Sequence, residues 1–529
     1  MTRGRILRRF ESVAVILVAC AVCLPVGRVH AEDLSEKIER MERELDEMRQ
    51  ELRRQKEVQE RAQAEQQAKE QQQAKEQAAA PVTATASLRA LTDRVKLGGY
   101  GSFRFENSSL DEANDTFTFR RFVLTTDANI APRLRAGFEL EFERFRKLEL
   151  EKNLEPDAGG LLYEQAVEGT NHSEISVEQA WMQYDIEDWL KFRGGAVLVP
   201  LGRFNINHDD NRWTLPRRSL IDRGVPVLPS TAAWDELGVG FLGDVTLSDQ
   251  AMLNYQVYVM NGVSLDTELE QIAQTRYPRR DKVAFEVELS PETGNFASDV
   301  KDAKAVAGRV SISPGLGHEV AGSWYYGQYT PDFLGKEDLW AVGVDGLTGY
   351  GPFELEAEGV FTRFDGTRNV ATNLARVARD QAAETSDREL ETEVEFELAN
   401  LARNKYGYWL ETRYRFWPSL LNETFLGRSF ANPQFVAVVR GEQAWLDDLV
   451  DEVGFEGEAL TTFETDNRRV DRFSVGLAYR PLPLVSFQLA YEYTQTNHGK
   501  SLANVTNYLP GGPGEDDAHT LLTGVTFGF

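Results

Sequence analysis

The last nine residues read "LLTGVTFGF". They place Leu521, Thr523, Val525, Phe527 and Phe529 on one side and Thr520, Leu522, Thr526 and two glycines on the other. A period of two sends successive side chains to opposite faces of a strand. The same texture recurs from Val95 onward. "DRFSVGLAYRP" sets Phe473, Val475, Leu477 and Tyr479 against Ser474, Gly476, Ala478 and Arg480. "RLRAGFELEFER" sets Leu134, Ala136, Phe138, Leu140 and Phe142 against Arg135, Gly137, Glu139, Glu141 and Glu143. One face is apolar, and the other repeatedly carries charge.

A β-sandwich also alternates, so the connections decide. Tight ones fall at 130–132, 187–189, 246–250, 314–317, 351–352 and 481–483, and long ones at 149–173, 200–235, 263–302 and 365–404. Short turns at one end and long loops at the other mark a transmembrane barrel. Lipid tolerates no open sheet edge, so such a sheet must close. The pattern predicts an all-β barrel of sixteen antiparallel strands over 95–529. A pair hidden in 418–433 or 388–400 would make eighteen. The final strand must then pair with the first. Phe527 and Phe529 are expected in the aromatic girdle at the short-turn end, and Tyr491 and Tyr493 in the opposite one. A terminal aromatic strand also resembles the end signal that the barrel-assembly machinery of bacterial outer membranes reads.

The N-terminus says where the chain goes. Arg3, Arg5, Arg8 and Arg9 precede the apolar run Val13–Leu24, and "VHA" follows at 29–31. This is the build of a secretory signal peptide, 1–31, cut after Ala31. Both cysteines, Cys20 and Cys23, lie inside it, so the mature chain offers no disulfide or thiolate metal site. Residues 32–78 contain neither Pro nor Gly. Leu34, Ile38, Met41, Leu45, Met48 and Leu52 step by four and three, the seam of a coiled coil. The flanking pairs Lys37–Glu42, Glu44–Arg49 and Glu51–Lys56 are opposite in sign, as parallel self-association requires. A linker, 79–94, leads into the barrel.

The formal charge of −26 and a pI near 4.8 exclude nucleic acid as a partner. No Ser–His pair with an evident third member is legible, so no enzyme activity and no cofactor are expected. His208, Asp209 and Asp210 are adjacent, and three consecutive side chains of an extended loop cannot all converge on one ion. No metal is expected there.

Sixteen strands leave a water-filled lumen. The third long loop, 200–235, carries Arg203, Arg212, Arg217, Arg218 and Arg223 against Asp209, Asp210, Asp222 and Asp235. Its apolar residues, Trp213, Leu215, Leu220, Val225 and Trp234, call for packing against something. Folded inward, the loop would narrow the pore and line it with both charge signs. Arg203, Asp209, Asp210, Arg212, Arg217, Arg218 and Arg223 are the constriction candidates, since fixed charge is how pores select ions.

"FTFRRFVLTTDANIAPRLRAGFELEFE", "VEQAWMQYDIEDWLKFRGGAVLVPLGRFN" and "GYWLETRYRFWP" resemble the phosphate-selective porin family, the O and P type outer-membrane porins. The resemblance implies a trimer of sixteen-stranded barrels with an infolded third loop, passing small hydrophilic solutes or ions, phosphate and other anions among them. The N-terminal coiled coil resembles the extension of certain sugar-specific porins. The expected partners are outer-membrane lipid, further copies of the chain in a trimer, and the assembly machinery. A second reading stays open, in which the coiled coil tethers the outer membrane to peptidoglycan and the barrel serves as its anchor.

Overall fold

The computed structural model describes residues 94–529 apart from 111–114, 145–147, 158–159, 170–173, 223–226, 230–232, 277–279, 293–300, 332–333, 385–388, 397–401 and 498–515. The signal peptide, the seam Leu34–Leu52 and nearly all of the linker lie outside the described residues, as does Arg223.

Among the described residues twenty-one strands follow the chain. They are β1 Val95–Ser108, β2 Thr116–Ala131, β3 Leu134–Glu143, β4 Leu148–Asp157, β5 Gly160–Gly169, β6 Glu174–Glu187, β7 Leu190–Leu198, β8 Asp235–Thr246, β9 Met252–Met260, β10 Ser264–Arg276 and β11 Arg280–Glu292. Then come β12 Ala305–Gly315, β13 His318–Gln328, β14 Asp338–Tyr350, β15 Phe353–Phe364, β16 Glu389–Phe396, β17 Ala402–Phe416, β18 Gln434–Glu456, β19 Ala459–Leu482, β20 Val485–Thr496 and β21 Asp517–Gly528.

Sixteen of them close a ring. Antiparallel pairing runs β1–β2–β3–β6–β7–β8–β9–β12–β13–β14–β15–β17–β18–β19–β20–β21 and returns to β1. The closing seam pairs Tyr100 with Gly528 through Ser108 with Thr520. Gly99 and Phe529 extend it by exchanging backbone hydrogen bonds of 3.2 and 3.0 Å. The count of sixteen stands, and eighteen does not. Residues 389–396 do form a strand, β16, but it pairs with β11 and the far end of β18, outside the ring. Residues 418–433 hold only a short 3-10 turn, Ser419–Leu421, among turns.

The long connections are more structured than expected. Residues 148–169 form the hairpin β4–β5, and 264–292 the hairpin β10–β11. An 18-residue helix, Thr367–Glu384, occupies much of 365–404. Its buried residues Val370, Ala371, Leu374, Ala375 and Ala378 lie along one face, and Arg368 and Arg379 sit over Phe463 and Phe455 of β19 and β18. Residues 447–469, which the alternation leaves as a connection between strands at 434–446 and 470–480, are instead strand: β18 and β19 continue to a two-residue turn at Gly457–Glu458. Their alternation survives there in "LVDEVGFE", but Asp448, at a positive φ of 56°, and three register shifts break its period.

The two faces are those of the sequence pattern. Phe138, Phe241, Leu410, Phe473, Leu489 and Leu521 are exposed on the outside. Glu139, Glu141, Glu358, Glu411, Arg440 and Glu492 are buried on the inside. Aromatic rings form two rows. Phe416, Phe435, Tyr479 and Phe487 follow one another with centroids 5.2–6.1 Å apart near the short turns, where Phe529 meets Phe122 and Phe527 meets Phe103. At the far end Trp340, Phe361, Tyr406 and Trp445 make the second row, and Tyr493 meets His519. Among the described residues no helix is long and apolar enough to cross a membrane.

One glycine lets β7 lie close against β6 just before the third loop. Gly195 in β7 has φ of +128°, and a Cβ there would sit 2.2 Å from the Ala180 carbonyl oxygen. That backbone region is reserved for glycine, at a cost of about 1–3 kcal/mol for other residues. Gly195→Ala is expected to lower the unfolding free energy of the barrel by that much, read as a fall in its urea midpoint in detergent; an unchanged midpoint would show that β7 relaxes freely.

Candidate pore constriction

Residues 199–234 leave β7 and enter the barrel. The proof is the set of partners. One loop touches side chains of β1, β2, β6, β15, β17, β18, β19 and β20, strands drawn from opposite sides of the ring. Only a segment inside the ring can reach all of them.

Its neck is closed by Asn205. The Nδ2 atom donates to the carbonyls of Val199 (2.8 Å) and Trp234 (3.2 Å), and Oδ1 accepts from the Trp234 amide (2.8 Å). A short helix, α1 (Arg203–Ile206), follows the neck. Glu358 of β15 receives the amides of Arg203 (2.9 Å) and Phe204 (3.0 Å) and the indole N–H of Trp409 (3.0 Å). A carboxylate at the exposed amides of a helix start is the arrangement electrostatics favours.

Four of the apolar residues that called for packing, Trp213, Leu215, Leu220 and Trp234, find it, and Val225 lies outside the described residues. Phe204 lies 5.1 Å from Trp213 and 6.1 Å from Trp409. Leu215 joins Val438, Ala490 and Leu522 of the wall in a small buried cluster, over Gly476. Leu220, Ile221, Val227, Leu228 and Trp234 are fully buried.

The constriction candidates divide by partner. Arg203 reaches Glu356, Glu319 (2.8 Å) and Asp345 (3.6 Å). Asp210 accepts from Ser102 (2.6 Å) and faces Arg121 (3.8 Å). Arg217 pairs with Glu492 (2.7 Å) and Glu106 (3.3 Å), and its carbonyl accepts from Arg440. Arg218 pairs with Asp222 (3.3 Å) and lies over Trp213. Arg212 differs: its side chain is 59% exposed, with Asp209 at 3.1 Å. His208 is buried, with Nδ1 at 3.0 Å from the Asn205 carbonyl and Nε2 at 3.1 Å from Glu178 of β6. Burial opposes a charge on this imidazole, but the hydrogen bond and charge of Glu178 outweigh it and push it up to about 9. Burial would raise Asp210 too; Arg121, ahead of Arg120 and Arg218, holds it below the ordinary range.

The wall carries further charges that the alternation marked: Arg309 with Asp345, and Arg413 with Glu354, Glu356 and Glu411. Arg133, which the alternation of "RLRAGFELEFER" would put on the charged face with Arg135, instead sits in the β2–β3 turn at φ 66° and donates to the Ile186 carbonyl. Arg104, Arg120, Arg121 and Arg472 went unremarked. All four are buried; Arg104 in "FRFE" follows the alternation, and a register shift opposite Ser102/Phe103 lets the consecutive Arg120 and Arg121 both be buried.

No family model matches this sequence. A stretch of 173 residues is 25% identical to an uncharacterized protein of Aquifex aeolicus, covering 32% of this chain; the chain spans about a third of the length of that relative. Solved structures of similar fold include an anion-selective porin from Comamonas acidovorans, 10% identical with a TM-score of 0.44 over 82% of this chain and 99% of that one. An OmpF of Salmonella typhi in complex with daunomycin gives 11% and 0.44 over 82% and 97%. The channel DcaP of Acinetobacter baumannii gives 10% and 0.39 over 82% and 97%.

Glu358 is the acceptor the loop start depends on. Glu358→Ala strips three buried donors of their partner, at about 1–3 kcal/mol each. It is expected to open the loop near Arg203 to trypsin while the strands stay protected; equal protease resistance would show that the hydrophobic contacts alone hold the loop.

Proposed function

We propose that this chain is an outer-membrane porin, a water-filled channel for passive diffusion of small hydrophilic solutes and ions. One observation carries the reading: a closed ring of sixteen strands, apolar outside, whose charged interior holds a charged loop. An apolar band between two aromatic rows suits a bilayer. A charged lumen suits ions and polar solutes. Arg203, Asp209, Asp210, Arg212, Arg217 and Arg218, with Arg223 beside them in sequence, are the residues that set selectivity. Small hydrophilic solutes and ions, phosphate or other anions among them, are the solutes we infer, with the exposed Arg212 the loop arginine placed to draw an anion.

The remaining chain fits this use. Residues 1–31 direct export, 32–78 form a periplasmic coiled coil, and 79–94 join it to the barrel. The coiled coil and barrel together hold a trimer. Phe527 and Phe529 give the terminal strand the aromatic character that assembly machinery reads. Full-length protein in a planar bilayer is expected to show discrete conductance steps. A barrel that inserts and conducts nothing would favour the tether reading instead.

The loop arginines differ in what they allow. Arg212 is the exposed one, and charge in a narrow, weakly screened lumen acts strongly. Arg212→Glu is expected to move the reversal potential toward cations with the fold intact, and charge changes in the β4–β5 hairpin to do far less. Arg217→Glu would set a third carboxylate beside Glu106 and Glu492. It is expected to lose the heat-modifiable band on electrophoresis. If the two substitutions behave alike, burial is not what separates them.

A further inference from the structure

The loop residue His208 does not meet the wall alone. Three carboxylates gather on it from separate elements: Glu139 of β3, Glu178 of β6 and its own neighbour Asp209. Ligand-capable atoms of Glu139, His208 and Asp209 all lie within 4.8 Å of one another. Asp210, the third member of the sequence triplet, turns instead to Ser102 and Arg121. Convergence is supplied by the wall, which sequence adjacency could not show.

The hydrogen bonding at His208 is the telling observation. Nδ1 faces the carbonyl oxygen of Asn205, so it carries a proton and donates. Nε2 faces Glu178 Oε2 at 3.1 Å and Asp209 Oδ1 at 4.0 Å, and a metal ion there would displace its proton. Asp209 Oδ1 is itself buried and receives no hydrogen bond. A single proton on Nε2 could satisfy Glu178 and would leave Asp209 Oδ1 unserved. A cation between them satisfies every one.

The surroundings match. Metal-bound imidazoles characteristically donate their other N–H to a carbonyl or carboxylate, and ligating carboxylates are held by outer partners. Here Asn205 holds His208, Gln179 holds Glu139, and Arg212 holds Asp209 through Oδ2, leaving Oδ1 toward the histidine. Arg121 approaches Glu178 at 3.9 Å, but it also serves Glu141, Glu143 and Asp210.

We propose that Glu139, His208 and Asp209, with Glu178 beside them, form a binding site for a divalent first-row transition metal ion of the zinc class, joining the infolded loop to β3. Imidazole with carboxylates suits zinc better than magnesium or calcium, which take oxygen alone. Ligand atoms about a tetrahedral zinc sit about 3.4 Å apart, so atoms of Glu139, His208 and Asp209 that lie within 4.8 Å of one another must close by up to about 1.4 Å. The ion would fasten the loop just past α1, where it crosses the lumen.

Zinc binding is read on full-length protein in detergent, stripped with chelator and titrated with Zn2+ by calorimetry, so it does not depend on whether the barrel conducts. One saturable Zn2+ per chain is expected. His208→Ala and Glu139→Gln should each weaken it about tenfold or more, and His519→Ala should leave it unchanged. Glu139→Gln keeps size and polarity, so it can be read if His208→Ala does not fold. Absence of a saturable site, or wild-type affinity in Glu139→Gln together with any folded His208→Ala, would overturn the proposal.

Discussion

The seam between β21 and β1 is the constraint from which the rest follows. In hydrocarbon an unpaired strand edge exposes amides and carbonyls with no water to meet them. Pairing Tyr100–Ser108 with Thr520–Gly528 removes both edges at once. Once the ring is closed, every strand has an outside and an inside, and the period of two allots side chains between them. Phe138 then faces out and Glu139 in, without further instruction. The aromatic end of the chain contributes directly, with Phe527 and Phe529 against Phe103 and Phe122 on the other side of the seam.

A charged interior creates the second problem. Arg121, Arg440, Glu442 and Glu492 are nearly inaccessible to water, and an isolated charge at such a site is costly. The infolded loop solves this by bringing partners to the centre. Arg217 serves Glu492 and Glu106, the Leu220 amide serves Glu442, and Arg440 donates to the loop backbone. Removing one member of such a pair typically costs about 3–5 kcal/mol, because the other charge stays buried. Wall and loop therefore depend on each other. The loop's position comes from many ion pairs and hydrogen bonds set on an apolar base of Phe204, Trp213, Leu215 and Leu220.

The barrel was legible because alternation is a local signal repeated sixteen times, and small errors at strand ends do not change the count. Alternation also sorted Glu139, Glu411, Arg440 and Glu492 to the inside. What it missed has physical reasons. Strand extension in β18 and β19 crosses bulges where the period slips. The helix Thr367–Glu384 carries its own three-to-four spacing, visible in "NLARVARDQAAE", but a loop reading did not look for it. Within the third loop, charge and apolar content pointed to packing. The Asn205 clasp, Glu358 beneath α1 and the meeting of His208 with Glu139 and Glu178 join residues about 30 to 155 positions apart. No spacing rule encodes them. Arg133 failed for the opposite reason, since a turn residue at positive φ leaves the alternation altogether.

The most direct measurement of the account is a cross-link between wall and loop. Ser102 Oγ of β1 and Asp210 Oδ2 of the loop are 2.6 Å apart. Residues 94–529 contain no cysteine. With cysteines at both positions, a loop held inside the barrel predicts near-complete disulfide formation on mild oxidation, read as a mobility shift that reductant reverses. Two thiols that both remain free to alkylation in the folded protein would contradict an infolded loop.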